Sequence, residues 1–526
     1  MFTSNHLRGS RLPFVAALAL VAGACGETDR PRAKARSGRA RAAAGEVAVA
    51  NRTQTTIFDD AFRFTCSRAP GVGCSGVFPV RRAGGSGAGQ PSRVALLSDG
   101  EASLRARVES LQKARRTIRI QALIFRADET GLFVADLLER KKAEGLDVRV
   151  IVDATSNLDW KTQWMYFDMK QHGVEVEGYE ALYLEWLTAE IVPNDPLRPN
   201  KRFHDKMWIV DGEDAEAGLA IVGGLNLANE YFRVDPTPIN RWRDQDLLVR
   251  GPVVRDVVRA FDRNYDFFKS IKDRLPSAFN PDNAWRLARG ARSKVGAVRT
   301  ATWRSPALVS SIERVLAQAV DLRPSSVVSR FLQSRPRLEE TYIGQAYLDL
   351  IGRARSRILI ANAYFVPSRA VIAALKAAAR RGVEVVVVTN SPATNDIGPV
   401  ATVSRWLYAD LLSAAGNGQH GGITIREWAG APFGEGTLHA KFGVFDGVEA
   451  IVGSYNLDPR SERLNSETAL AFQSPELATA LETWFTREYV AKSVEVTPAQ
   501  AASFRRPNDA DRVFELVFAL PLRSWL

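Results

Sequence analysis

The chain has 526 residues, 46% of them hydrophobic and 25% charged, a balance that excludes a disordered chain and suits a large globular protein of about two domains. The formal net charge is +11, but residues 1–25 carry +2 of it and residues 26–50 another +3, which leaves +6 for the rest. So mildly basic a body fits an anionic substrate and does not choose between phospholipid and nucleic acid.

At the N-terminal end, Arg8 and Arg11 precede an apolar run over 12–24 that has signal-peptide length and is too short to span a bilayer. Ala22-Gly23-Ala24-Cys25 resembles a bacterial lipobox, with Ala where leucine is usual. The expectation is a signal peptide over 1–25, a lipid on Cys25, and an exported protein held at a membrane of the cell envelope; ordinary secretion with cleavage nearby is the alternative. Residues 26–91 read as a flexible basic linker, rich in Ala, Arg, Gly and Ser. Within it Cys66 and Cys74 are placed to pair across a short loop in an exported protein and read as structural.

From residue 92 the pattern becomes α/β. Residues 101–115 read as an amphipathic helix and 118–125 as a strand; 131–144 read as a helix stopped by Gly145, and 148–152 as a buried strand. The order returns later, with a helix over 346–355, a strand over 358–365, a helix over 371–381 stopped by Gly382 and a strand over 383–388. This divides the body into two similar α/β domains, 92–275 and 341–500, joined by a connection over 276–340 that is rich in Arg, Ser and Pro and carries Trp285 and Trp303. An insertion over 182–201, with Tyr183, Leu184, Trp186 and Leu187, fits either a membrane interface or a partly buried core. The tail over 501–526 ends in an apolar stretch with Trp525, which either lies on a bilayer or packs onto the body.

Each half also carries the same short motif. His204, Lys206 and Asp211 repeat the spacing of His439, Lys441 and Asp446, and Gly223-Gly224-Leu225-Asn226 repeats Gly453-Ser454-Tyr455-Asn456. A lone His-x-Lys is ordinary surface chemistry, but two copies with one internal spacing argue for an internal duplication. In a strand, residues two apart share a face, so each copy sets an imidazole beside an ammonium, a pairing suited to an anion. Aligning the halves at Gly251-Pro252 and Ser474-Pro475 sets Asp244 opposite Glu467, each placed to fix the second nitrogen of a histidine. Eleven residues separate Asp211 from Gly223, against six between Asp446 and Gly453, so an acidic turn over 213–217 is expected as an insertion in the first hairpin.

Paired H-x-K-x4-D motifs, each followed by G-G/S-x-N, resemble the phospholipase D superfamily over roughly residues 95–490. The tail of the second copy, Asn456-Leu457-Asp458-Pro459-Arg460-Ser461 with Leu464-Asn465-Ser466-Glu467, resembles the bacterial cardiolipin synthase branch, as do 363–368 and 389–396. The resemblance implies two tandem phospholipase D-like domains packed about a pseudo-two-fold around one shared active site. It implies transfer of a phosphatidyl group, through a phosphohistidine, onto phosphatidylglycerol, with phosphatidylglycerol or phosphatidylethanolamine as donor. It favours His204 as nucleophile and His439 as acid/base, a choice that spacing alone leaves open. Lys206 and Lys441 would hold the non-bridging oxygens, with Asn226 and Asn456 as neutral phosphate-binding donors. Asp211 and Asp446 belong to the candidate catalytic set as motif members, yet they lie about two strand periods beyond the lysines, where bracing of the fold is the simpler role. No cofactor or metal is expected: two lysines supply the charge, and His6, His172 and His420 read as isolated. The enzymatic alternatives are hydrolysis of phospholipids to phosphatidic acid and a nuclease of the same superfamily, the latter disfavoured by the modest body charge.

Overall fold

The computed structural model describes residues 90–153, 155–179, 202–273, 304–319, 322–336, 340–414 and 421–504. Cys25, residues 26–89 of the linker with Cys66 and Cys74, the whole 182–201 insertion, Trp285, Trp303, His6, His420 and the tail from residue 505 lie outside the described residues.

Fifteen strands form one hydrogen-bonded sheet. In the first half these are β1 (Gln90–Leu97), β2 (Thr117–Ala122), β3 (Asp147–Asp153), β4 (Glu175–Tyr179), β5 (Met207–Val210), β6 (Leu219–Gly223) and β7 (Asp246–Arg250). The second half supplies β8 (Ser325–Ser334), β9 (Arg357–Asn362), β10 (Glu384–Asn390), β11 (Gly422–Trp428), β12 (Lys441–Phe445), β13 (Glu449–Gly453), β14 (Glu467–Gln473) and β15 (Ser493–Glu495). Their order is β15-β11-β10-β9-β12-β13-β14-β8-β1-β7-β6-β5-β2-β3-β4. Read outward from the antiparallel β8–β1 pair, the two directions run through equivalent strands, which is a pseudo-two-fold; β15 has no counterpart among the described residues.

The local reasons repeat as well. Helix α1 (Gly100–Lys113) is capped by Asp99, whose carboxylate accepts the Ala102 N–H at 2.8 Å, and α2 (Glu129–Ala143) by Asp128, which accepts from Gly131 at 2.9 Å. The stops read at Gly145 and Gly382 are real: both glycines take positive φ, 96° and 95°, which lets the chain leave α2 and its counterpart α8 (Arg369–Arg380) and enter β3 and β10. Each helix returns the chain to a parallel neighbour, β2 to β3 and β9 to β10.

The stretch 276–340 is more than a connection. It contains α6 (Pro306–Leu316), whose Ile312 and Val315 pack into the outer helical layer of the first half, and it contains β8. Alternate positions of β8, Ser325, Val327, Ser329, Phe331 and Gln333, are buried, and the serines and glutamine among them hide the hydrophobic period that marks a strand. In the first hairpin, Asp214 closes the inserted turn by accepting the N–H groups of Glu216 and Ala217, each at 2.9 Å. The register survives the insertion: Gly223 pairs with Asp246 as Gly453 pairs with Ala469.

One core cluster draws on both halves. Phe203, Ile209 and Val222 of the first meet Ala440, Phe442 and Val452 of the second, with α5 (Val254–Asp273) and α11 (Pro475–Trp484) contributing Phe261 and Leu481. Fully burying such side chains contributes about 1.5–3 kcal/mol apiece, so this shared layer fixes one half against the other. The two histidine-bearing segments lead into β5 and β12 beside this layer.

Candidate active site

His204 and His439 lie in extended segments just before β5 and β12, and each segment pairs with the other half. The His204 N–H donates to the Ser466 carbonyl at 2.8 Å, and the His439 N–H to the Arg243 carbonyl at 2.7 Å. Ser466 and Arg243 each precede one of the aligned carboxylates, so the pairing exchanges partners between halves. His204 Nδ1 lies 2.8 Å from Glu467 Oε2, and His439 Nδ1 lies 2.7 Å from Asp244 Oδ2. A carboxylate on Nδ1 keeps that nitrogen protonated and leaves Nε2 with its lone pair. Sequence alignment sets the two carboxylates in equivalent places; only the fold shows that each serves the opposite histidine.

Both histidines, both lysines, both carboxylates, Asn226 and Asn456 are buried. Lys206 Nζ donates to the carbonyl of His204 at 3.0 Å, and Lys441 Nζ to that of His439, which folds each lysine back over its own histidine. Burial, with Lys441 as a like-charged neighbour, lowers Lys206 to about 7, and burial lowers Lys441 to about 8 against the pull of Asp244. His204 is lowered by burial to about 4, with Glu467 opposing. His439 is driven well below its ordinary value by burial and then by Lys441, Lys206 and His204. Groups of each half thus oppose positive charge on those of the other, and an anion entering among them offsets that repulsion. Asn226 Oδ1 accepts the Ile124 N–H at 3.2 Å. Asn456 N donates to Ser461 Oγ at 3.1 Å, and its buried Oδ1 has no hydrogen-bond partner among the described residues.

The two dyads differ in their surroundings. Glu467 accepts from Ser454 Oγ at 2.5 Å, Ser461 Oγ at 2.8 Å and Asn465 Nδ2 at 3.5 Å. Burial acts to raise its pKa, but His204, Lys206 and these donors outweigh it and hold Glu467 below the usual carboxylate value. Across the pseudo-two-fold, Ser454 becomes Gly224, Ser461 becomes Tyr231 and Asn465 becomes Trp242. Asp244 keeps the Gln245 N–H at 2.8 Å, and burial pushes it up to about 7. A Cβ on Gly224 would stand 2.7 Å from Asp244 Oδ1, so glycine there makes room for the carboxylate.

Asp211 and Asp446 do not join the cluster. Four residues of extended chain lie between each and its lysine, five steps that span about 17 Å. Asp211 accepts the N–H groups of Arg115, Arg116 and Thr117 at 2.7–2.9 Å. Asp446 does the same for Arg355, Ser356 and Arg357 at 2.8–3.0 Å. Each adopts positive φ, 48° and 55°, and pins the turn between a helix and the following strand. These bonds fit the bracing role read from the spacing, in place of a direct part in the chemistry.

His172 is also not isolated. It ends α3 (Trp160–Gln171), exposed, with Nδ1 2.9 Å from the Asp168 carbonyl, and with Glu139 and Asp168 it forms the one group of three or more such side chains, among the described residues, whose ligand atoms lie within 4.8 Å of one another. Sequence reasoning also missed the clamp behind Asp244. Glu435 is buried among Arg233, Arg243 and Lys492, and Glu488 bonds Arg243 at 3.2 Å and Lys492 at 2.8 Å. No local spacing marks it, because its members come from both halves.

A doubled α/β fold with H-x-K segments converging from both halves defines the phospholipase D-like class. The family described as "Cardiolipin synthase, PLD-like domain" matches residues 108–249 and 347–489, more than half of the chain, and the chain belongs to that family. A cardiolipin synthase from Geobacillus thermodenitrificans is 30% identical over 377 residues, 72% of this chain and 62% of that protein. Cardiolipin synthase C of Escherichia coli is 27% identical over 72% of this chain and 81% of its own length. This chain thus spans less than two thirds of the Geobacillus relative. Among solved structures, a phosphatidylserine synthase from Haemophilus influenzae superposes with a TM-score of 0.55 at 15% identity, over 83% of this chain and 97% of that one, and shares the fold.

Proposed function

We propose that the protein is a phosphatidyltransferase of the cardiolipin synthase type, acting through a phosphohistidine. The observation that carries this reading is the exchanged pair of dyads: two imidazoles, each held by a carboxylate of the opposite half and each with a lysine bonded to its own carbonyl. His204 Nε2 attacks phosphorus and the P–O bond to the departing alcohol breaks; His439, which takes up a proton on Nε2 when the anionic phosphodiester binds beside it, gives that proton to the departing oxygen. His439 then takes the proton of an incoming hydroxyl, that oxygen attacks phosphorus, and the P–N bond to His204 breaks. Lys206 and Lys441, with the amides of Asn226 and Asn456, hold the non-bridging oxygens as charge develops on them. The firmly ionised Glu467 suits the attacking histidine, because it fixes the Nδ1–H tautomer throughout.

The incoming hydroxyl is the glycerol headgroup of phosphatidylglycerol, and the donor is phosphatidylglycerol or phosphatidylethanolamine. The names of the relatives support a lipid substrate. No helix among the described residues is long and apolar enough to cross a membrane; attachment through lipid on Cys25 in the cell envelope is part of the same proposal, tested by release of Cys25→Ser from membranes. The deciding assay is purified protein on phosphatidylglycerol vesicles, with products resolved by mass. Cardiolipin supports transfer, phosphatidic acid replaces it with hydrolysis, and inert lipid with cleaved DNA overturns the lipid reading.

A further inference from the structure

The scaffold is two-fold, yet the two histidines have different neighbours on their ring faces. Trp242 lies against His439 with ring centroids 5.5 Å apart and planes at 34°, and Tyr231 meets the same ring edge-on at 5.0 Å and 83°. The two aromatics touch each other at 4.8 Å, and the backbone N–H of Trp242 donates to the Glu230 carbonyl at 3.0 Å. Both come from the first half, whereas His439 belongs to the second. Their equivalents, Ser461 and Asn465, hydrogen-bond to Glu467 on the His204 side. One imidazole therefore has an aromatic wall, while hydroxyl and amide groups occupy the matching positions beside the other.

The groups that face His439 make this wall consequential. Lys441 from its own segment, and Lys206 and His204 from the segment before β5, all oppose positive charge on the ring; Asp244, from the segment before β7, is the one carboxylate bonded to it. The face of an indole attracts a cation through its quadrupole and, unlike a carboxylate, places no anion where the phosphodiester must enter. We propose that Trp242, braced by Tyr231, is a positioning residue that holds His439 and stabilises its imidazolium, so that the proton shuttled during transfer resides on the His439 side. This rests on the site being a phosphodiester-transfer centre. It makes Trp242 the feature that breaks the chemical symmetry of a doubled fold, with Asn465 in the corresponding position.

The test compares Trp242→Leu with Trp242→Phe in the full chain, saturated with inorganic phosphate. The chain has five histidines, so His439 can be followed by NMR and assigned by its loss in His439→Ala. Loss of the ring in Trp242→Leu should lower the His439 pKa by about one unit, a tenfold change in its protonation equilibrium, while Trp242→Phe stays near wild type and His204 does not move. In turnover, the alkaline limb of the pH profile should shift down with it in Trp242→Leu alone. An unmoved His439 titration with activity lowered evenly at every pH would reduce Trp242 to packing and overturn the proposal, as would a Trp242→Phe that behaves like Trp242→Leu. The titration needs no lipid turnover, so failure of the lipid assay in the wild-type protein is a separate result.

Discussion

Replacing Glu467 by Gln removes one charge and little volume, and it probes the exchange of partners directly. The carboxylate receives four donors on two oxygens: His204 Nδ1 and Ser454 Oγ on one, Ser461 Oγ and Asn465 Nδ2 on the other. Glutamine offers one oxygen and an NH2 group, so one pair of donors must reorient. The serine hydroxyls can rotate to accept; the imidazole cannot do so without exchanging tautomers and surrendering the Nε2 lone pair. A hydrogen bond to a charged group contributes about 1.5–3 kcal/mol, or roughly 10- to 150-fold in rate. The share of molecules with the wrong tautomer adds to this, giving an expected fall of about 10²–10³ in kcat/KM with KM little changed. The assay is initial-rate turnover of phosphatidylglycerol vesicles beside a thermal unfolding curve. A folded Glu467→Gln protein with kcat/KM within about threefold of wild type would refute the orienting role, since even the smallest bond energy assigned here predicts more.

Asp446→Asn should destabilise the fold by about 2–3 kcal/mol by weakening the acceptor for three backbone N–H groups, measured by urea unfolding, while turnover per folded molecule stays unchanged; a lost kcat in a stable protein would return Asp446 to the chemistry. Lys206 and Lys441, lowered by burial to about 7 and about 8, are charged below that range and neutral above it. Binding of inorganic phosphate should therefore weaken as pH rises through 7 to 8 and take up protons there, measured by calorimetry in buffers of differing ionisation enthalpy; zero proton exchange contradicts this. Glu435→Ala leaves Arg233 without its carboxylate and Arg243 with Glu488 alone, and should cost about 3–5 kcal/mol in unfolding experiments and also impair the Asp244–His439 dyad beside Arg243. Arg233 and Arg243 hold Glu435 at about 2 against the effect of burial, so its contribution is complete above the ordinary glutamate range and fades as pH falls toward about 2.

The elements were legible wherever one period dominated. The buried valines and isoleucines of β3 and β10 and the capped helices before them follow directly from hydrophobic spacing and positive-φ glycines. β8 was not legible, because a strand that joins two halves buries serine and glutamine as readily as valine. At the site, the doubled motif located the histidines and lysines whose charges act across the two halves, and one buried asparagine in each half. It could not show that Glu467 serves His204 and Asp244 serves His439, since both assignments satisfy the same alignment. Nor could it separate the braces from the cluster: Asp211 and Asp446 share the motif because the turn they pin sets the start of β2 and β9, the strands on which β5 and β12 are laid. Trp242 and Tyr231 became visible only when their equivalents, Asn465 and Ser461, were seen to face the other dyad.

The central claim is that one phosphorus is held between imidazoles from the two halves. The most direct measurement is a crystal structure of the protein soaked with tungstate, an oxyanion that mimics the phosphoryl group. The account predicts a single oxyanion with Nε2 of His204 and Nε2 of His439 on opposite sides of it and both lysine Nζ atoms on its oxygens. Two oxyanions, each bound by one histidine alone, would contradict it.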